Sequence, residues 1–250
     1  MRALFRKMVG PVLAHSNLDL SLARMRLEVF GAMSAELSAA ISMVDAPGQA
    51  NSRLIDLALA CIATARNLEL RTLIERQAPA LVHLWPGEHY KLLRAIVQET
   101  KPGLVLEIGT YTGLSALAMI AALPPGSELV TVDIIPWDRI PGSYLRPSDF
   151  AEGMLRQIVC DLGQREVAEK HAALLRNADL IFVDAAKDGV FEYRLMQQIK
   201  SVGLKPGALL IWDDIRFWNM LRLWREIRQP KLDLTSFGHW SGTGLVDWGG

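Results

Sequence analysis

The pattern of apolar and polar positions divides the chain into a helical first third and an alternating remainder. From Leu22 to Val44, apolar residues recur every three or four positions, which is the spacing of a long amphipathic helix. A break at residues 45–52 is followed by more helical spacing from Leu54 to Ile62. We therefore predict a helical extension over residues 1–85. It could pack on the rest of the protein, act as a lid over an acceptor site or form the surface of a homodimer.

After Pro86-Gly87, short apolar runs typical of strands alternate with segments of helical spacing. The predicted strands cover 104–108, 129–134, 157–160, 180–184 and 208–213, and the predicted helices cover 88–99, 114–123, 150–155, 166–175 and 191–202. Parallel strands joined through helices need right-handed crossovers, so this order predicts a doubly wound sheet over residues 86–250.

The C-terminal segment departs from this alternation. Two strand-like runs, 232–238 and 244–248, flank a short loop of Gly and Ser, which indicates an antiparallel C-terminal hairpin. The predicted fold class is therefore α/β, with a Rossmann-like doubly wound sheet of about seven mostly parallel strands and an N-terminal helical extension.

Composition narrows the range of partners. Lys plus Arg and Asp plus Glu number 27 each, so no net field favours nucleic acid or an anionic membrane, and a small molecule is the expected partner. Cys61 and Cys160 match no metal-ligand or disulfide spacing, which is typical of a reducing compartment. The longest uncharged segment, 109–127, opens and closes on Gly or Pro loops, and the N-terminus is a poor signal peptide. These features predict a cytoplasmic protein that does not span a membrane.

A glycine turn follows the first predicted strand. Gly109 and Gly113 allow the backbone to come close to a ligand, and Asp133 ends the second predicted strand, where a carboxylate can accept both hydroxyls of a ribose. A nicotinamide-dependent oxidoreductase would share these features. However, Tyr111 replaces the middle glycine of the dinucleotide fingerprint, and Glu107 brings negative charge to where a pyrophosphate would lie. A ligand with a ribose and a cationic head, such as S-adenosylmethionine, fits better.

Three acids follow the fourth and fifth predicted strands. Asp184, Asp213 and Asp214 would lie side by side and repel one another unless a cation is bound, and ligands that are all oxygen favour magnesium. Alternatively, Asp184 and Asp213 could cap the helices that follow them.

The run from Glu107 to Ser115, E-x-G-T-Y-T-G-x-S, together with Val132-Asp133, resembles the class I S-adenosylmethionine-dependent methyltransferases. Its form is similar to the metal-dependent O-methyltransferases of the catechol and caffeoyl-CoA type, and the resemblance covers about residues 85–250. It implies transfer of a methyl group from S-adenosylmethionine to a hydroxyl of a small molecule, assisted by Mg²⁺. The cofactor-binding residues that it implies are Glu107, Gly109, Thr110, Tyr111, Gly113, Ser115, Asp133, Ile134, Asp161 and Asp184. Ser115 and Asp161 could instead cap or start helices.

The resemblance also supplies candidate catalytic residues beside Asp184. Lys187 has the D-x-x-K spacing of the catechol-type general base, and a lysine that is partly desolvated near a cation can have a lowered pKa. His239 is a second candidate base if the turn of the C-terminal hairpin reaches the cleft. Alternatively, Lys187 could be a solvated loop lysine and His239 a surface residue of the turn. The tandem Asp213-Asp214 departs from the catechol-type pattern, which has Asn at the second position, and resembles the macrolide-sugar O-methyltransferases. A NAD(P)-dependent oxidoreductase and a noncatalytic nucleotide-binding protein remain the alternative functions.

Overall fold

The computed structural model describes residues 48–249, so the helix predicted over 22–44 lies outside the described residues. The α-helices in this range are α1 (Ser52–Asn67), α2 (Arg71–Glu75), α3 (Tyr90–Thr100), α4 (Leu114–Ile120), α5 (Arg165–Lys170), α6 (Ala172–Asn177), α7 (Phe191–Val202) and α8 (Trp218–Glu226). The strands are β1 (Leu104–Ile108), β2 (Glu128–Asp133), β3 (Leu155–Val159), β4 (Leu180–Val183), β5 (Leu209–Asp213), β6 (Lys231–Asp233) and β7 (Thr243–Asp247).

The seven strands form one sheet in the order β3-β2-β1-β4-β5-β7-β6. Strands β1 to β5 are parallel, whereas β7 runs antiparallel to both β5 and β6. The predicted fold class is therefore confirmed. The strand order reverses between β1 and β4, and in such sheets a crevice opens beyond the carboxyl ends of the strands at the point of reversal.

The centre of the sheet is apolar because helices cover both of its faces. Every residue of β4 and of β5 is buried. Helix α3 directs Leu92, Leu93 and Ile96 into the same core. These central strands give the carboxyl ends of β1, β4 and β5 fixed positions.

Helix α1 belongs to the predicted N-terminal extension and packs on this core. One face buries Leu54, Ala58, Cys61 and Ala65, spaced as an amphipathic helix requires. None of the helices between residues 48 and 249 is long and apolar enough to cross a membrane.

Several predicted elements need correction. The helix predicted over 150–155 is wrong: a 3₁₀ turn ends at Phe150, and β3 begins at Leu155. The helix predicted over 166–175 is broken at His171. The first hairpin strand stops at Asp233, because the side chain of Asp233 accepts the backbone N–H of Thr235 and turns the chain into a 3₁₀ turn. Helix α8 was not predicted.

Candidate active site

The turn after β1 depends on two glycines. Gly109 has φ +105°, and a Cβ there would lie 1.8 Å from the carbonyl oxygen of Asp184. Gly113 has φ +82°, and a Cβ there would lie 2.3 Å from the Leu145 side chain. Both positions therefore need a residue without a side chain, and the backbones of β1 and β4 come into contact at the edge of the crevice.

Asp133 holds this turn against the end of β2. Its Oδ2 accepts the backbone N–H groups of Thr110 at 2.9 Å and Tyr111 at 3.0 Å, and its Oδ1 accepts the N–H of Ile135 at 3.1 Å. Each carboxylate oxygen has two lone pairs, so these three bonds fill Oδ2 and leave Oδ1 able to accept one ligand hydroxyl.

A cavity of about 460 Å³ lies beyond the ends of β1, β2 and β4. Five of the predicted cofactor-binding residues line it: Gly109, Tyr111, Asp133, Ile134 and Asp184. The predicted base Lys187 lines it as well, and most of the remaining wall is apolar, from residues such as Leu162 and Phe191. The size and the lining are typical of a small-molecule pocket.

Glu107, Thr110 and Ser115 are buried beneath the turn and do not line the cavity. The carboxyl group of Glu107 accepts the hydroxyls of Ser115 at 2.5 Å and Thr131 at 2.6 Å. Burial raises the pKa of Glu107 to about 7, although these two hydrogen bonds oppose the rise. The charge of Glu107 therefore does not lie on a ligand surface, and our sequence argument that it would repel a pyrophosphate is not supported.

Asp161 and Gly113 also lie outside the cavity lining. Asp161 accepts the backbone N–H of Gly163 at 2.8 Å and the side-chain amide of Gln164 at 3.2 Å. It therefore closes the turn after β3, whereas the next helix begins only at Arg165, with Gln164 at its N-cap.

The three predicted metal ligands do come together. Oxygen atoms of Asp184, Asp213 and Asp214 lie within 4.8 Å of one another at the ends of β4 and β5. Asp213 and Asp214 are 1% and 3% exposed. The ammonium group of Lys187 lies among the acids: it pairs with Asp184, is 2.5 Å from Asp214 Oδ2 and is 3.6 Å from Asp213 Oδ2.

These ion pairs change the expectation for Lys187. Burial alone would lower the pKa of Lys187, but the pairs with Asp184 and Asp214 outweigh burial and raise the pKa. The lowered pKa that we expected is therefore wrong for this arrangement, in which Lys187 is a cationic partner of the acids.

Two histidines complete the cluster, and only His239 was anticipated. His239 Nδ1 lies 3.2 Å from Asp213 Oδ2 and 3.4 Å from Asp214 Oδ1. His89, which precedes α3 and is 3% exposed, places Nδ1 3.2 Å from Asp213 Oδ1. Burial alone would lower the pKa of His239, but its bonds to Asp213 and Asp214 raise the pKa to about 10. In the same way Asp213 raises the pKa of His89 against the effect of burial.

Backbone hydrogen bonds hold the segments that carry these histidines together. The N–H of Gly87 donates to the carbonyl of Gly238 at 3.1 Å, and the N–H of Trp240 donates to the carbonyl of Gly87 at 3.0 Å. Gly87 and His239 thereby form an isolated parallel bridge, and the rings of His89 and His239 meet edge to face at 5.0 Å. The position of His239 is therefore built by two distant parts of the chain.

Comparison with known proteins supports the resemblance seen in the sequence. Residues 106–215 match the profile of a family described as Methyltransferase domain. The chain is 30% identical to mouse catechol O-methyltransferase over 132 residues, which cover 50% of this chain and 47% of the relative. It is 30% identical to caffeoyl-CoA O-methyltransferase 1 of Zea mays over 157 residues, which cover 56% and 57%. It is also 31% identical to a mouse protein named transmembrane O-methyltransferase homolog over 140 residues, which cover 55% and 53%. The chain spans about half the length of these curated relatives.

Solved structures agree with the fold. The O-methyltransferase TomG of Streptomyces achromogenes, in complex with S-adenosylmethionine, aligns with a TM-score of 0.50 at 21% identity, over 76% of this chain and 90% of that chain. A methyltransferase of Podospora anserina aligns with a TM-score of 0.51 at 19% identity, over 92% and 97%. These likenesses confirm the shared architecture, and the family match and the curated relatives confirm the resemblance to methyltransferases.

Proposed function

We propose that this chain, whose residues 106–215 match a methyltransferase domain, transfers a methyl group from S-adenosylmethionine to a hydroxyl of a small molecule with the help of a divalent metal. One observation carries the proposal. The cavity above β1, β2 and β4 is directly adjacent to the acidic cluster, which consists of Asp184, Asp213 and Asp214, and Asp184 belongs to both. A methyl donor in the cavity and an acceptor held at the acids would meet at Asp184.

The cavity suits the chemistry of S-adenosylmethionine. Asp133 Oδ1 would accept a ribose hydroxyl, and Ile134, Ile135 and Leu162 would offer an apolar surface to the adenine. Asp184, beyond the glycine turn, would bring negative charge to the cationic end of the cofactor. The cofactor would therefore lie along the edge of the sheet, with its methyl group towards β4.

The acidic cluster suits Mg²⁺. Asp184, Asp213 and Asp214 offer only oxygen ligands, and the ammonium group of Lys187 already lies where a cation would be held. Bound there, Mg²⁺ would lower the pKa of an acceptor hydroxyl and fix its orientation towards the methyl group.

Lys187 and His239 remain the two candidate bases. Both contact the acids that raise their pKa values, so in this arrangement both are protonated at neutral pH. Either one must lose its proton before it can accept one, and we expect the rate to rise with pH. Comparing the pH–rate profiles of the wild type, Lys187→Ala and His239→Ala identifies the base as the residue whose loss removes the alkaline rise.

An aromatic rim offers a surface for the acceptor. Trp240, next to His239, is 70% exposed, and its ring centroid is 6.4 Å from that of Phe217. Exposed aromatic rings beside a polar cluster are suited to a flat, partly apolar molecule that carries a hydroxyl group.

Calorimetry with S-adenosylmethionine and with NADH tests the cofactor. Asp133→Ala should weaken the binding of S-adenosylmethionine by about 1.5–3 kcal/mol, the usual range for hydrogen bonds to a charged group. Asp188→Ala is the control, because the Asp188 side chain accepts the N–H groups of Val190 and Phe191 in its own loop and does not line the cavity. Tighter binding of NADH than of S-adenosylmethionine would support the oxidoreductase instead.

Turnover tests the catalytic step. Release of S-adenosylhomocysteine should be measured with a panel of catechols and other hydroxylated aromatics. We expect turnover to stop when a chelator is added and to return with Mg²⁺. Cofactor binding without turnover on any acceptor would support the noncatalytic alternative, and full activity after chelation would contradict the role of the metal. A cytoplasmic location remains a prediction from the two isolated cysteines.

A further inference from the structure

A second group of possible metal ligands lies at the edge of the sheet that carries the acidic cluster. It contains two imidazoles and shares Asp213 with the acidic cluster. Within residues 48–249, ligand atoms of His89, Asp213 and His239 lie within 4.8 Å of one another, and His89 and Asp213 are buried. Two nitrogens and one oxygen form a different donor set from the three carboxylates. We infer that His89, Asp213 and His239 form a second cation site, for a divalent transition metal ion such as Zn²⁺ or Co²⁺.

The distances favour coordination over simple hydrogen bonding. Charge-assisted N–H···O bonds usually measure about 2.7–2.9 Å. Here Nδ1 lies 3.2 Å from Asp213 Oδ1 in His89, and 3.2 Å from Asp213 Oδ2 in His239. Ligands about 2.0–2.1 Å from a tetrahedral zinc ion are separated by roughly 3.3 Å. The spacing between His89 and Asp213 is therefore long for a charged hydrogen bond and close to that of two ligands on one small ion. His239 Nδ1 also lies 2.9 Å from the hydroxyl of Ser241, a contact that a bound ion would replace.

The burial of His89 is easier to explain if the residue is a metal ligand. Its Nε2 has no hydrogen-bond partner among the residues that the structure describes, and its ring is enclosed by Phe182 and Tyr90. A buried imidazole with one nitrogen unpaired carries a desolvation cost that its other contacts must offset. A bond from Nδ1 to a metal ion would provide that compensation.

The surroundings of His239 fix its position. With Nδ1 towards Asp213, its Nε2 lies 3.8 Å from the carboxylate of Glu88, which is an ion-pair distance rather than a direct hydrogen bond. The backbone bridge between Gly87 and His239 fixes the two imidazole-bearing segments relative to each other before any ion binds. The donor set is thus largely formed in advance.

The ligand types separate the two sites. Carboxylate oxygens suit Mg²⁺, whereas imidazole nitrogens suit transition ions. Both imidazoles approach Asp213 Oδ1, His89 at 3.2 Å and His239 at 3.3 Å, whereas the ammonium group of Lys187 lies 3.6 Å from Asp213 Oδ2. A transition ion can therefore bind on the imidazole side while Lys187 stays paired with Asp184 and Asp214. This inference does not require the proposed methyl transfer.

Titration with Co²⁺, followed by its visible absorption, tests the inference directly on the whole chain. We expect one Co²⁺ bound with the strong bands of a low-coordinate ion that has nitrogen ligands, and we expect excess Mg²⁺ not to displace it. His89→Gln and His239→Gln should each lower the Co²⁺ affinity at least tenfold. Asp184→Asn, which changes only the all-oxygen group, and His171→Gln, at the junction of α5 and α6, should leave the bands in place.

A measurement on the wild type covers the case in which His89→Gln fails to fold. X-ray absorption of the Zn²⁺-loaded protein should show the outer-shell scattering of two imidazole rings. Displacement of Co²⁺ by Mg²⁺, bands unchanged in both histidine variants, or a zinc shell that contains only oxygen would each overturn the inference. Because none of these readouts depends on turnover, failure of the second metal site and failure of the proposed methyl transfer can be distinguished.

Discussion

At the scale of single residues, Gly109 is the glycine, among those the structure describes, at which an added Cβ would come closest to another atom. A Cβ there would overlap the carbonyl oxygen of Asp184, and φ is +105°. We expect Gly109→Ala to lower the free energy of unfolding well beyond the about 1–2 kcal/mol that a left-handed conformation alone costs. Denaturant unfolding measures this difference.

Gly126→Ala is the matched control for that experiment. Gly126 also has a positive φ, of +81°, but a Cβ there would meet nothing within 4 Å. It therefore reports the conformational cost without the overlap. Equal losses of stability in the two variants would contradict the close approach of β1 and β4 at the cavity.

The buried carboxyl of Glu107 should make stability depend on pH. Burial raises its pKa to about 7 in the folded protein, whereas an unfolded glutamate titrates near 4.5. The folded state thus holds a proton that the unfolded state has lost, so the free energy of unfolding should fall as pH rises from about 4.5 to about 7. The difference in pKa corresponds to about 3 kcal/mol.

Glu107→Gln separates this contribution from other titrating groups. Glutamine can still bond to the hydroxyls of Ser115 and Thr131, but it does not ionise. Unfolding measured at pH 5 and at pH 8 should show a smaller loss of stability in the variant than in the wild type. The same loss of stability in Glu107→Gln and in the wild type would mean that a group other than Glu107 holds this proton in the folded state.

Among the site residues, those on the sheet could be predicted and His89 could not. Asp133, Asp184 and Asp213 directly follow apolar runs, so the rule that strand ends meet at one edge located them. His89 precedes a helix and lies in no motif. A topological signal was available: α3 leads into β1 and must run back along it, so the start of α3 lies at the same edge as the end of β1.

At the scale of elements, α1 is held to the last strand by one buried acid. Asp247 of β7 is 1% exposed and accepts hydrogen bonds from Arg53 at 2.6 Å and from Asn51 at 3.0 Å. A double-mutant cycle of Arg53→Met and Asp247→Asn should give a coupling energy of about 1 kcal/mol, since the arginine side chain is half exposed and partly screened.

Arg66→Met provides the control for that cycle. Arg66 lies in the last turn of the same helix and on its exposed side. Its combination with Asp247→Asn should be additive within the error of unfolding measurements. A coupling energy of the same size between Arg66 and Asp247 would mean that the effect is long-range electrostatic and does not come from the direct contact between Arg53 and Asp247.

Elements with a clear apolar period were predicted well, and those set by local hydrogen bonds were not. Helix α7 and strand β1 match their predicted bounds. The segment near Phe150 does not, because the backbone N–H and carbonyl groups at Arg146 bond to Asp149 and close a tight turn that apolar spacing cannot reveal. Helix α8 did have a signal: Met220, Leu223 and Trp224 are buried at helical spacing.

At the scale of the whole molecule, stability should depend on which cation neutralises the acidic cluster. Lys187 neutralises part of that charge itself. Lys187→Met should lower the melting temperature in the presence of a chelator, and added Mg²⁺ should raise it more than in the wild type. Saturation at one hundred times Kd corresponds to about 2.7 kcal/mol. Thermal melts with and without Mg²⁺ provide the measurement.

Lys205→Met is the matched control for the melts. Lys205 pairs with Asp179, at the opposite ends of the strands from the acidic cluster. Its loss should leave the response to Mg²⁺ as in the wild type. A melting temperature of Lys187→Met that Mg²⁺ does not change would mean that the three acids bind no cation.

The backbone bridge between Gly87 and His239 also has a consequence for recombination between relatives. The matched methyltransferase segment, 106–215, contains Asp184, Asp213 and Asp214 but neither of the two histidines. A chimera that exchanged only this segment would inherit the acids from one parent and the imidazoles from the other. Viable exchanges should therefore move residues 87–89 and 234–243 together, as a pair that is far apart in the gene and joined in the fold.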